Sequence, residues 1–396
     1  MSDRTPTRQI VALSIGGCGS AAALRICDPL LPYLAREYDV GLAAAAQTVT
    51  AFAIAYGLLQ LVYGPIGDRY GKYRVITIAT FGCALTSLAC AFAPTLPALV
   101  AARALAGATA GALIPLSLAW IGDVVPYERR QPVLARYLIG QMFGIALGQM
   151  LGGVGADRFG AGPVFLALAA WFAVAAALLW KFAPMREAAA QHGEHGVVRR
   201  FLSVLEVRWS RVVLATVFVE GLLLVGALAF VPTHLHLVYG LPLTAAGAVV
   251  MLYAAGGLAY AMLSPVLVRR LGEPGLAIGG GALLTLCFTG LAVRTTPAVA
   301  AIACLAGGLG FYMLHNTLQV NATQMAPAQR GSSLALFACI LFVGQSSGVT
   351  LAGAVVERVG TAAVLAGAGG LLLVVALAFA IALRGHRRIA TDPARR

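Results

Sequence analysis

Twelve stretches of this 396-residue chain are each long and apolar enough to cross a bilayer as a helix, and that fact limits its fold more than any other. Crossing hydrocarbon as a helix takes ~20 apolar residues. The stretches fall at about 10–34, 43–66, 74–93, 97–122, 132–155, 162–183, 211–234, 244–267, 275–294, 298–322, 332–356 and 361–383. Lipid offers no hydrogen-bond partners, so a spanning segment of this length must satisfy its own backbone as a helix. The prediction is an all-α membrane protein. Hydrophobic residues make up 60% and charged residues 11%, against about 25% charged in soluble domains, which excludes an ordinary soluble protein. Arg4 and Arg8 ahead of the first stretch give it the basic start of an export signal. Its length, its internal Arg25 and Asp28, and the eleven stretches behind it predict a retained helix instead.

The net charge of +13 is topological. Of the 28 Lys and Arg residues, Arg25 and Arg103 fall inside spans, and Arg36, Arg158, Arg294 and Arg358 fall in loops on one side. The other 22 lie in loops and tails on the opposite side, a bias that places that side in the cytoplasm. Both termini are then cytoplasmic and the chain is a multi-pass protein of the inner membrane. The bilayer, with its anionic headgroups, is the partner such charge implies, and no nucleic-acid partner is expected. The seven cysteines are dispersed within spans and form no CxxC pair, so neither a disulfide framework nor a metal site is expected. His234 and His236 at an outer span end lack further ligands for a metal. No phosphate-binding loop, zinc helix or nucleophile elbow is present, so an enzyme is not expected, no cofactor is implied, and an ion gradient is left as the energy source.

The longest polar stretch, 184–210, separates a six-helix bundle at 1–183 from a second at 211–396, which ends in a short basic tail. The halves match at an ungapped offset of 200. Pro32 meets Pro232, Pro65 meets Pro265, Arg69 meets Arg269, Gly144 and Gly148 meet Gly344 and Gly348, and Gly160 meets Gly360. Parallel repeats of this kind suit carriers that rock two halves around a central site.

Between the second and third spans runs Gly64-Pro65-Ile66-Gly67-Asp68-Arg69-Tyr70-Gly71-Lys72-Tyr73-Arg74, whose glycines and charges mark a short turn at the membrane surface. It resembles the signature loop of the major facilitator superfamily of secondary transporters, through Gly64, Asp68, Arg69, Gly71, Lys72 and the following Arg74. The resemblance implies the major facilitator fold of two pseudo-symmetric six-helix bundles. It also implies a gating role for the loop. Asp68 would approach the N-terminus of the eleventh helix, whose dipole favours an anion and which would begin near the N-cap candidates Ser332 and Ser333.

Arg103 followed by Gly107 and Gly111 in span four resembles the family's second motif, and the glycines provide a flat packing face. Gly144, Gly148, Gly152 and Gly153 in span five resemble the antiporter motif, with Gln149 where that motif has proline. Gln141, Gln149 and Gln345 fit interhelical hydrogen bonding. Arg25-Ile-Cys-Asp28-Pro29-Leu-Leu-Pro32 in span one resembles the twelve-span multidrug–proton antiporters. Asp28 lies ~9 Å below the outer end of its span at about 1.5 Å per residue. Arg103 lies at a similar depth, so the two can meet, with Arg25 on nearly the same face as Asp28. A carboxylate held between burial and a cation can bind and release a proton. Glu220, deep in span seven, is a second candidate for proton coupling. Tyr312, His315, Asn316 and Gln319 form a polar stripe on span ten, consistent with a cavity wall.

These features predict a monomeric, proton-coupled exporter of a small organic, drug-like or cationic compound, working by alternating access. The alternative is a proton symporter, or an organic-anion carrier using Arg25 and Arg103 as counter-charges. A transport-inactive receptor is the distant third reading.

Overall fold

The computed structural model describes residues 6–184 and 197–391. His192, Gly193, His195 and Gly196 of the inter-bundle stretch, and the basic residues Arg4, Arg395 and Arg396 of the tails, lie outside the described residues. All regular structure among the described residues is helical. Ten helices there are long and apolar enough to cross a membrane. One of them, Leu243–Ala292, has fifty residues and leaves helical geometry at Gly272, where φ is 63°, so it supplies spans eight and nine. Span one comes as two pieces, Thr7–Arg25 and Leu31–Glu37, which completes the expected twelve.

The sequence predicts span one as one continuous helix, and here the structure differs. Residues 26–30 form turns, with Asp28 N donating to Arg25 O at 3.3 Å and Leu30 N to Cys27 O at 3.0 Å. Two prolines explain the break. Pro29 has no N–H and disfavours helix at the residue before it, and Pro32 sits in the first turn of the second piece, where its missing donor costs nothing. Span seven breaks likewise. Arg208–Glu220 passes into the π-helical turn Gly221–Val225, a short helix Gly226–Leu228, and then Val231–Tyr239 with Pro232 in its first turn. Span four is interrupted at 111–112, between Leu96–Ala110 and Leu113–Val124.

The signature segment is also not the surface turn expected from its composition. Span two continues as helix through Pro65 to Tyr70, span three starts at Lys72, and Gly71 alone stands outside, with φ at 91°. That left-handed value favours glycine. Ser332 and Ser333 do not cap span eleven, because a 3₁₀ turn at Pro327–Gln329 starts it earlier, with Gln329 in the N-cap position and helix from Arg330 to Val359. The polar linker contains a helix, Val197–Glu206, that its composition did not announce.

Two compact units emerge: residues 1–194 with 242–248, and residues 195–241 with 249–396. Inside each, the glycines do the work that apolar burial does in water, since lipid gives apolar helix faces no reason to leave it. A Cβ on Gly144 or Gly148 would strike the carbonyls of Cys18 or Ala22. Two hundred residues on, a Cβ on Gly344 or Gly348 would strike those of Phe218 or Leu222. Gly107, Gly111, Gly152 and Gly153 are closed against the backbones of Phe52, Tyr56, Ile26 and Leu243. At Gly64 a Cβ would meet nothing within 4 Å, so close packing does not account for that glycine. The offset extends to backbone geometry, with Gly160 at φ 81° and Gly360 at φ 84°. Capping is repeated one residue out of that register: Thr95 accepts from Ala98 N, and Thr296, 201 positions on, from Val299 N, each at 3.4 Å.

Replacing Gly148 by leucine forces spans one and five apart, and overpacking of this kind costs about 1–3 kcal/mol or more. Gly148→Leu is expected to lower the melting temperature in detergent by several degrees or to abolish monodisperse protein. Gly370→Ala, at an open position, is expected to melt at or slightly above wild type. Equal melting of wild type and Gly148→Leu would contradict this packing.

Candidate functional site

In the first unit the break in span one creates the chemistry. Ala23 lies in the last turn of Thr7–Arg25, where carbonyls run out of intrahelical donors and the helix dipole favours a cation. Arg103 Nη2 donates to Ala23 O at 3.0 Å and its Nε to Thr48 O at 3.3 Å. The guanidinium carbon sits 4.1 Å from the Phe52 ring centroid, and the residue is 1% exposed. Arg103 therefore ties spans one, two and four together through backbone oxygens. The expected pairing with Asp28 is corrected in part: the two charges lie near enough to act on each other, but among the described residues no hydrogen bond or ion pair joins them, and the carboxylate has other bonded partners.

Those partners are Arg25 and Gln149. Arg25 Nη1 lies 3.4 Å from Asp28 Oδ2 and Gln149 Nε2 donates to the same oxygen at 3.0 Å. Asp28 is fully buried, with 0% exposure, while the Arg25 side chain is 11% exposed. Among the described residues the second carboxyl oxygen, Oδ1, has no hydrogen-bond partner, and neither has Gln149 Oε1. Gln149 thus makes an interhelical hydrogen bond, as its place in a glycine-lined packing face suggested. That its acceptor is Asp28 was not legible from the sequence. Leaving a buried carboxyl oxygen unsatisfied costs free energy that a proton or a ligand donor can recover.

The second unit holds a separate buried carboxylate. Glu220 ends the regular part of span seven where the π turn begins, and π turns frequently accompany functional positions. His315 Nδ1 lies 2.9 Å from Glu220 Oε2, while Oε1 has no partner among the described residues and the glutamate is 0% exposed. Both residues stand out in the sequence, but 95 positions separate them and nothing there joins them. The His315 ring stacks on Phe311 with centroids 4.9 Å apart and tilts against Phe337 at 5.5 Å. Asn316 Nδ2 donates to Tyr260 Oη at 2.9 Å, and Tyr312 stacks on Tyr260. Of the predicted stripe, Tyr312, His315 and Asn316 thus converge around span eight residue Tyr260 and Glu220, whereas Gln319 is exposed.

At the signature segment Lys72 is shared by two carboxylates, Asp68 Oδ1 at 3.2 Å and Asp123 Oδ2 at 2.7 Å. Asp123 closes span four and was not singled out from sequence. Its only signal was being acidic at a predicted inner span end. Arg69 stacks over the neighbouring Tyr70 ring at 5.1 Å. His234 is a packing residue, its ring nitrogens 2.7 Å from Thr361 Oγ1 and 2.8 Å from Leu291 O.

A family model described as Major Facilitator Superfamily matches residues 13–348. The multidrug efflux pump LfrA of Mycolicibacterium smegmatis is 31% identical over 167 residues, which is 41% of this chain and 33% of LfrA. The multidrug export protein EmrB of Haemophilus influenzae is 26% identical over 197 residues, 50% of this chain and 39% of EmrB. The matched regions thus span between a third and two fifths of the length of these relatives. Among solved structures, a point mutant of the nucleoside transporter NupG superposes with a TM-score of 0.79 at 16% identity, covering 94% of this chain and 98% of that one. At that identity the likeness speaks for the fold alone. With spans, glycine packing and family match in agreement, this chain belongs to the Major Facilitator Superfamily and has the all-helical, multi-pass membrane fold of that family.

Proposed function

We propose that the chain is a proton-coupled exporter of a small organic compound in the inner membrane, with both termini cytoplasmic. One observation carries the reading. Two carboxylates, Asp28 and Glu220, are wholly buried in separate units, and each has one bonded oxygen and one without a partner among the described residues. Ionisable groups inside a membrane are costly to keep, and where they are kept they mark ion and substrate paths.

At Asp28 the mechanism follows from the partners. A proton arriving on Oδ1 discharges the carboxyl, loosens its hold on Arg25, and leaves the Gln149 amide as the remaining donor to Oδ2. Loss of the proton restores the ion pair. Coupling that exchange to alternating exposure of the site converts a proton gradient into movement of the two bundles. Glu220 with His315 provides a second such station in the other unit, walled by Phe311 and Phe337. Aromatic faces beside a carboxylate suit a compact organic cation, and the relatives LfrA and EmrB bear multidrug names. The organic-anion alternative is weakened, since Arg103 is already committed to two backbone carbonyls, leaving Arg25 as the available counter-charge. Asp68, with Arg69, Lys72 and Arg74, forms the cytoplasmic gate.

The test is purified protein in liposomes under an imposed pH gradient, assayed with a panel of organic cations, zwitterions and anions. Wild type is expected to move a cationic member against its gradient. Asp28→Asn is expected to abolish substrate-driven proton movement. Undiminished coupling in that variant would remove Asp28 as the carrier. Glu220→Gln is expected to depress cation transport more than transport of neutral substrates, and an equal loss for both would contradict a charge-based role. Asp68→Asn is expected to slow turnover about fivefold, the scale of a partly exposed interaction of ~1 kcal/mol, with membrane expression unchanged. Wild-type turnover would count against the gate.

A further inference from the structure

We propose that the linker helix Val197–Glu206 and the start of span eleven form a binding site for the headgroup of an anionic phospholipid. The site lies wholly within the second unit. At 100° per residue the helix divides into two arcs. Arg199, Arg200, Ser203 and the terminal Glu206 fall on one, and Phe201, Leu202, Val204 and Leu205 on the other. The apolar arc is itself split. Val204 is 0% exposed and anchors the helix on the bundle, whereas Leu202 is 54% and Leu205 40% exposed. A basic helix with leucines left uncovered beside a membrane-spanning bundle is the pattern of one lying in the interface, its apolar side among the acyl chains.

The polar arc has a cavity of its own. Arg199, Arg200 and Ser203 line it with Gln329, the N-cap residue of span eleven, around a volume of about 190 Å³. Pockets that hold drug-sized ligands run to roughly 300–1,000 Å³, so this one is too small for a transported compound. It is an open pocket of a size that suits a phosphate group. The Ser203 hydroxyl donates to Arg200 O at 2.9 Å, which leaves the two guanidinium groups and the Gln329 amide as donors. Guanidinium is the side chain best shaped for paired hydrogen bonds to phosphate oxygens. The helix is fixed from its far end too, since Arg211 Nη2 donates to Glu206 O at 3.3 Å. A lipid whose phosphate enters the cavity places its chains along the face that Leu202 and Leu205 leave open. The same two arcs therefore read both halves of one molecule.

The experiment compares the full-length protein in phosphatidylcholine bilayers with and without phosphatidylglycerol, reading melting temperature and retained lipid by native mass spectrometry. Wild type is expected to melt several degrees higher with the anionic lipid and to retain it. Arg199→Gln/Arg200→Gln is expected to lose that increment while melting like wild type in phosphatidylcholine alone. Arg199→Lys/Arg200→Lys preserves charge without the planar fork and is expected to keep part of the increment. Arg269→Gln/Arg270→Gln removes two basic residues elsewhere and is expected to keep all of it. An unchanged increment in Arg199→Gln/Arg200→Gln, or an equal loss in Arg269→Gln/Arg270→Gln, would overturn the site. Equal stabilisation of wild type by millimolar inorganic phosphate in phosphatidylcholine would overturn the lipid as its occupant, making the cavity a site for soluble anions.

Discussion

The break between Arg25 and Leu31 governs how the first bundle is built. A helix that stops inside a bilayer exposes backbone carbonyls to a medium with nothing to offer them, so something within the protein must reach in. Arg103 does so at Ala23, which accounts for a guanidinium that is 1% exposed among helices. The same interruption turns Asp28 inward, where Gln149 from span five and Arg25 from the helix end meet it. A single local failure of helical geometry, caused by Pro29 and Pro32, thus creates both the structural clamp and the ionisable group.

The glycines of span five make that arrangement possible. With Gly144, Gly148 and Gly152 in contact with the carbonyls of Cys18, Ala22 and Ile26, span five lies against span one along its length, and Gln149 is delivered to Asp28 by backbone proximity. The second half repeats the backbone solution and changes the side chains. Gly344 and Gly348 pack on Phe218 and Leu222, and span seven breaks ahead of Pro232 as span one does ahead of Pro32. Yet the position equivalent to Asp28 is Leu228, and the acidic residue stands at Glu220 with His315 as its partner. The two units thus share a framework and differ in where they place their buried charge.

Much of this was legible in the chain. Apolar length set the helical class, the 200-residue offset exposed the repeat, and fourth-residue glycines located the tight helix contacts, because each depends on spacing along one helix. Pairing was not legible. Depth along the spans matched Arg103 to Asp28, and only the break at 26–30 shows Ala23 O to be the partner it bonds. Glu220 and His315 were each visible as polar residues in apolar spans, but nothing local to either names the other. The signature segment misled in a different way. Its glycines and charges read as a turn, whereas Pro65 and Gly67 are accommodated within a continuing helix and only Gly71 leaves it. The linker helix was hidden by the charges on its polar arc.

The central claim is that Asp28 exchanges a proton inside the bundle, and infrared difference spectroscopy of the protein in bilayers measures this most directly. A component of the protonated-carboxyl carbonyl band should grow as the pH is lowered and be missing from the difference spectrum of Asp28→Asn, where the component from Glu220 remains. A spectrum that titrates identically in wild type and Asp28→Asn would show that Asp28 holds one protonation state throughout, and the coupling mechanism would have to be sought elsewhere.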